Sequence, residues 1–423
     1  MVDVARRADR AARSGSRIAY LESIRALAAM QVLFLHVLAA FAPNLVFALP
    51  AAAPAAGIIH LSPLYFLYDG YSAVYIFFVL SGYVLTRSFE RSRIHPLAQA
   101  IARIVRLGVP AIAAVSVAAA IMLIFGRANV AAGDLGGSAW FTRHWQIEVS
   151  LLSVIRDGTV NALFLGYRGL PGVAFLGPWQ QAIEQSFVVP LWTLSIEFYG
   201  SMIVLALCWL AQRSRAPWLL LLILGSLFTL RSAYICFFVG HWLATFARAE
   251  RPAPASGLLP GFALAAGIFL CVIADIWQPE WLKTICASPT YLMFPGQFAP
   301  LQQKTFGAIL VLIGLIHLEG ARSWLSTPWL VERAKLSFPL YLVHWPILFG
   351  PIAVLFLQLA GIIGIAPARL CAIAAGIGLS LAGSVFFLPV DRFALDLSRS
   401  LRGRRAAQLE PPQASPASAM AAE

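Results

Sequence analysis

Long, unbroken apolar runs dominate the chain, and they do not alternate with a period of two. "LAAMQVLFLHVLAAFA", "AIAAVSVAAAIMLIF" and "LCAIAAGIGLSLAGSVFFLP" are three of them. A strand half-buried in a sheet, or facing lipid in a barrel, would alternate; continuous runs near the roughly 20 residues that cross a bilayer read as helices. The pattern predicts helices over 19–42, 64–87, 103–125, 189–211, 216–230, 232–247, 257–275, 304–320, 336–358 and 366–389. The fifth and sixth are short and read equally well as one broken pair. The expected fold is therefore an all-α polytopic membrane protein, a bundle of about ten transmembrane helices.

Polar stretches divide the rest. Residues 1–18 form a basic tail, 19–395 the membrane domain and 396–423 a disordered tail that includes "AAQLEPPQASPASAMAAE". Residues 126–188 are a long connection with Gly, Pro, Trp and both charge signs. Within it, "VSLLSVIRDGTVNALFLGY" has the pattern of an interfacial helix.

Composition agrees: 60% of residues are hydrophobic and 12% charged, about half the charged fraction of a soluble domain. Of the 31 Lys and Arg, 22 fall in segments on the side of the N-terminus and 8 on the other, with Arg25 inside the first span. The positive-inside rule then places both termini in the cytoplasm and 126–188 outside. The net charge of +12 reads as membrane orientation. No stretch joins basic residues to an aromatic base-stacking platform, so nucleic acid is not an expected partner. Four of the five cysteines lie in apolar runs and read as small hydrophobes.

Ionisable side chains within spans are costly, so each is a functional candidate. Arg25 and His36 are eleven residues apart, which leaves them about 20° apart around a helix and about 16 Å apart along it. They share a face, Arg25 near the cytoplasmic surface and His36 in the outer half. Glu197, about eight residues or roughly 12 Å below the outer surface, falls at similar depth to His36. A carboxylate and an imidazole in contact suit proton abstraction from a hydroxyl; a buried ion pair joining two helices is the bland alternative. Arg103 and Arg106 project from one face at the cytoplasmic end of the third span. They read either as membrane anchors or, with Arg25, as a clamp for a phosphorylated ligand. His344 lies in the ninth span, about eight residues from the cytoplasmic face, with Tyr341 one turn before it. His60, His95 and His144 sit in loops or at helix ends; His241 and His317 lack a charged companion and read as structural.

These residues fall in segments that together resemble the acyltransferase 3 family. "LESIRALAAMQVLFLHV" is similar to its first-helix signature, with Arg and His eleven apart, and "FFVLSGYVLTRS" (77–88) to its second. "RIVRLGVP" (103–110), "PLWTLSIEFYG" (190–200) and "SFPLYLVHWPI" (337–347) resemble three more, in order, and "DRFALDLSR" (391–399) weakly resembles the closing motif. Where many relatives carry an acid two residues before the Phe77–Phe78 pair, this chain has Tyr75, and Asp69 is the candidate substitute. The resemblance implies transfer of an acyl group, usually acetyl from cytosolic acetyl-CoA, to a hydroxyl of an extracytoplasmic carbohydrate or similar acceptor.

On that basis His36, Glu197 and His344 are the expected catalytic residues, with His36 the general base supported by Glu197 and His344 its competitor. Arg25, Arg103, Arg106 and Tyr341 are expected to bind acyl-CoA, and no metal is expected. Trp140, Trp145 and Trp179, in the outer connection, read as a sugar-stacking platform or as part of an interfacial aromatic belt. The expected location is a cell membrane, of the bacterial inner-membrane type. A proton-coupled transporter or flippase is the alternative, since intramembrane Arg, His and Glu also mark proton relays.

Overall fold

The computed structural model describes residues 2–47, 59, 62–92, 94–171, 174–246, 257–287 and 296–409. Among these residues ten helices carry the apolar runs: α1 (Val2–Phe41), α2 (Gly70–Glu90), α3 (Pro96–Phe125), α4 (Trp192–Ala211), α5 (Arg215–Thr229), α6 (Ile235–Thr245), α7 (Leu258–Ile273), α8 (Ala299–His317), α9 (Ser337–Ile363) and α10 (Ile365–Leu409). Seven of them, α1 to α4 and α8 to α10, contain stretches long and apolar enough to cross a membrane. The three shorter helices, α5, α6 and α7, coincide with the expected fifth, sixth and seventh spans but have 15, 11 and 16 residues, short of the roughly 20 a span needs. The only β pairing among the described residues is an isolated bridge between Arg168 and Ala182.

Several boundaries differ from the sequence expectation for local reasons. The span expected from 64 begins as a 3-10 turn, Pro63–Tyr68, and α2 proper starts at Gly70. Asp69 makes that break: its carboxylate accepts from the Ser72 amide at 3.2 Å, an N-cap that satisfies a free helix donor. α8 starts at Ala299, with Pro300 in its first turn, which puts Lys304 inside the helix rather than at its end. α9 holds Pro346 and Pro351, each lacking an amide donor, and its ladder widens to a π turn over Leu348–Ile352. α10 continues to Leu409, so the segment expected to be disordered from 396 is helical that far; residues 410–423 lie outside the described residues. The basic tail continues α1 as one helix from Val2.

α2 lies at the centre, packed on α1, α4, α6 and α8. Its approach to α6 depends on two glycines. A Cβ on Gly82 would lie 2.7 Å from the Phe237 carbonyl oxygen, and one on Gly240 would collide with the backbone of Val79 and Tyr83. Small residues let helix backbones meet where lipid supplies no hydrophobic drive.

One end of the bundle carries a buried ion cluster. Lys304 Nζ lies 2.9 Å from Asp69 and 2.9 Å from Asp275, and Tyr65 donates its hydroxyl to Asp275 at 2.8 Å. Lys304 is fully buried and Asp69 nearly so. Asp69, the candidate substitute for the family's acid, caps α2 and pairs with Lys304 of α8. Tyr75, two residues before the Phe77–Phe78 pair, donates its hydroxyl to Gln297. Breaking a buried pair from one side leaves an uncompensated charge and costs about 3–5 kcal/mol. Lys304→Met is therefore expected to destabilise the protein by about that amount. Adding Asp69→Asn should recover part of the loss, read by melting in detergent. Equal melting of wild type and Lys304→Met would remove this account of the cluster.

Candidate active site

Three cavities follow one another through the bundle. The first, about 410 Å³, is lined by Glu22 and Arg25 of α1, Ser81 of α2, Arg103 and Arg106 of α3, Glu197 of α4, Lys335 and Phe338 near the start of α9, and Asp391 and Arg392 of α10. Five basic and three acidic side chains border it. The second is an apolar neck of about 40 Å³. The third, about 130 Å³, holds His36, Trp140, His144 and Tyr71. Phe77, Leu194, Glu197, Ser337 and Phe338 border both the first cavity and the neck. Val32, Val74 and Tyr341 border both the neck and the third.

In the first cavity the expected arginines come together, each restrained by a carboxylate. Arg25 pairs with Glu22 at 3.1 Å, one turn back on α1, and lies over the Phe77 ring. Arg103 pairs with Glu197. Arg106 pairs with Asp391 at 2.6 Å and lies over Phe338. Polar atoms are left over: Arg25 Nε, Arg103 Nε, Glu197 Oε2 and Ser81 Oγ are buried with no hydrogen-bond partner among the described residues. Buried polar atoms are nearly always bonded, so such a group at a cavity wall points to a polar occupant.

The contact expected between Glu197 and His36 is not made. A depth of eight residues for Glu197 requires residue 189 at the surface, but the stretch 186–191 is buried inside the bundle. α4 therefore starts below the surface, and Glu197 falls at the level of Arg103. The carboxylate orients a guanidinium, not an imidazole.

His36 meets His344 instead. His36 Nδ1 lies 2.8 Å from His344 Nε2, with the rings stacked 5.0 Å apart. His344 Nδ1 lies 2.9 Å from the Leu340 carbonyl, which only accepts, so that nitrogen carries the proton. In the neutral ring Nε2 is then the acceptor, and His36 Nδ1–H donates to it. His36 is left with Nε2 unprotonated and without a hydrogen-bond partner among the described residues. The sequence places His344 about eight residues from the cytoplasmic face. Ser337 and Phe338 border the basic cavity, which penetrates the bundle, so seven residues further along α9 is already the level of His36. Tyr341 borders the neck; its hydroxyl donates to the Pro190 carbonyl at 2.6 Å and meets Thr193 at 2.8 Å.

The three tryptophans separate. Trp140 stacks on His36, ring centres 5.6 Å apart and planes 12° apart. Trp145 is fully buried and donates Nε1–H to the Phe187 carbonyl at 2.8 Å, so it is no sugar platform. Trp179 is exposed and lines none of the three cavities. The segment with interfacial-helix pattern is helical over 151–165 and exposes Leu151, Leu152 and Ile155. Its other face buries Asp157, which accepts from Tyr167, Gln181, Ser186 and the Phe187 amide and so ties the connection together.

Sequence reasoning missed Asp391, Ser81 and His144. Asp391 opens the weak closing motif and Ser81 lies in the second signature, so both had a signal in hand. From the sequence, His144 reads as a histidine in a loop or at a helix end. His241 matches its structural reading: Trp218 Nε1 donates to its Nε2 at 3.1 Å, and its Nδ1 lies 2.9 Å from Thr86.

A search of curated proteins and a search of solved structures each found no match. The family model for the Acyl_transf_3 acyltransferase domain matches residues 18–388, which takes in the dyad, the neck and the arginine-lined cavity except its wall from Asp391, Arg392 and Leu395. The chain belongs to the acyltransferase 3 family and is a multi-pass membrane acyltransferase.

Proposed function

We propose that this protein moves an acetyl group from cytosolic acetyl-CoA to a hydroxyl of an extracytoplasmic carbohydrate, in a bacterial inner membrane with both termini in the cytoplasm. The observation that carries the reading is the succession of cavities from the arginine cluster to the His36–His344 dyad. CoA has an anionic nucleotide end and a thin, flexible arm ending in the thioester. The basic cavity suits the first, and the narrow apolar neck suits the second. Arg25, Arg103 and Arg106 bind phosphate oxygens, and the carboxylates of Glu22, Glu197 and Asp391 hold the guanidinium groups in place.

His36 Nε2 takes the proton of the acceptor hydroxyl as its oxygen attacks the thioester carbonyl. The C–O bond forms and the C–S bond breaks. The CoA sulfur leaves as a thiolate and takes the proton back from His36. His344 fixes the tautomer and ring plane of His36, the part a carboxylate plays in the hydrolase triads. Tyr341 holds the neck against Pro190 and Thr193.

The test is release of CoA thiol from acetyl-CoA by the purified protein, joined to mapping of acetyl esters on surface glycans with and without it. Acetyl esters that vanish without the protein are expected. Unchanged esters together with no thiol release would refute the proposal.

A further inference from the structure

We propose that His144 is the acceptor-binding residue of the outer cavity. Its imidazole hydrogen-bonds one hydroxyl of a neutral polyhydroxy ligand that lies against Trp140 and offers a neighbouring hydroxyl to His36. The assignment rests on the acyl-transfer reading of the dyad.

Three independent observations support it. His144 is 5% exposed, lines the same 130 Å³ cavity as His36, and has no side-chain hydrogen bond to any described residue, its Nδ1 being buried and orphaned. An unbonded buried imidazole costs free energy unless a ligand completes it.

The backbone around it is held on both sides. Asn129, itself buried, donates to the carbonyls of Phe141 (2.8 Å) and His144 (3.1 Å). Trp145 has φ of +63°, the one described non-glycine residue in the left-handed region. That conformation is costly for a bulky side chain and persists only where surroundings impose it. Here the buried indole with its bond to Phe187, and the Gln146 amide bonded to Glu184 at 2.8 Å, impose it. The turn aims His144 between the Trp140 and Trp345 rings, 5.2 Å from each centre.

The cavity also has no charged side chain among its lining residues. Burial, with the Arg143 charge adding to it, pushes the His144 imidazole down to about 4, so it is neutral near pH 7. A neutral imidazole, an indole face and a free His36 nitrogen recognise a ring with one apolar face and hydroxyls at its edge. An ionic acceptor would find no counter-charge.

The experiment uses the full-length protein in nanodiscs with methyl glycosides of glucose, mannose and galactose as probes. Binding is read as a thermal shift without CoA, and turnover as glycoside-dependent thiol release from acetyl-CoA. His144→Ala is expected to raise KM for the accepted glycoside about tenfold, the effect of one hydrogen bond, with a much smaller change in kcat. His144→Gln, which keeps a hydrogen-bonding group, should restore most of the affinity. A glycoside KM unchanged in His144→Ala, or no restoration by glutamine, would overturn the assignment. So would a wild type that turns over acetyl-CoA yet responds to no glycoside, and that result leaves the acyl-transfer reading standing. If instead a glycoside shifts the wild type but not His144→Ala, and no acetyl-CoA is turned over, the binding site stands and the reaction falls. No shift and no turnover would sink both.

Discussion

Alanine in place of His36 is expected to lower acyl transfer by about 10²–10⁴-fold while the protein stays folded. The loss follows from the tautomer. The Leu340 carbonyl, 2.9 Å from His344 Nδ1, sets the His344 proton there. His344 Nε2 then accepts from His36 Nδ1 at 2.8 Å. The one ring nitrogen left with a free lone pair in this pair is His36 Nε2, so removing that ring removes the base. His344→Gln should be milder, because a glutamine carbonyl can accept from His36 Nδ1 and because His344 acts through His36 rather than on the acceptor. Turnover by the purified single variants, with melting as the check on folding, decides between them. Wild-type turnover in His36→Ala would sink the mechanism whatever His344→Gln did. A His344→Gln rate far below that of His36→Ala would instead move the base to His344.

Arg103→Ala is expected to have two separable effects. It takes a phosphate-binding guanidinium from the basic cavity, and charge-assisted hydrogen bonds of about 1.5–3 kcal/mol correspond to roughly 10–100-fold in CoA affinity. It also strands Glu197, 4% exposed and with Oε2 already unbonded among the described residues, at a cost of about 3–5 kcal/mol in stability. Glu197→Gln added to Arg103→Ala should return most of the stability and none of the CoA affinity. Calorimetric titration with CoA and melting curves on the two variants separate the terms. CoA binding at wild-type strength in the double variant would end the phosphate-clamp reading and leave only the structural pair, whereas melting not rescued by Glu197→Gln would remove the structural pair.

Much of the site was legible because it lies along single helices. Arg25 and His36 share a face of α1 through the helical repeat alone, and Arg103 and Arg106 share the start of α3 in the same way. Contacts between helices were another matter. Glu197 was matched to His36 by counting residues from a surface that α4 does not start at, and Arg103 was its partner instead. His344, expected by the same arithmetic about eight residues from the cytoplasmic face, lies at the level of His36 and meets it. The span expected over 304–320 opens on Lys304; the earlier start of α8 makes that residue the buried partner of Asp69 and Asp275. His144 offered no sequence signal, since its position depends on a left-handed residue and on an asparagine fifteen positions away.

The sequence by itself determined the solvent, the secondary structure and the family. Long apolar runs exclude water and require backbone groups to pair within each segment, and helices do that with local bonds alone. The order of the five signatures is likewise a property of the chain. Tertiary structure alone decided which polar groups face one another. Helix depth depends on where a connection folds back into the bundle, as 186–191 does, and helix rotation depends on packing such as that of Gly82 against Gly240. Neither quantity is local in sequence, so the His36–His344 dyad, the Arg103–Glu197 pair and the cavity between them emerge only when the helices are assembled.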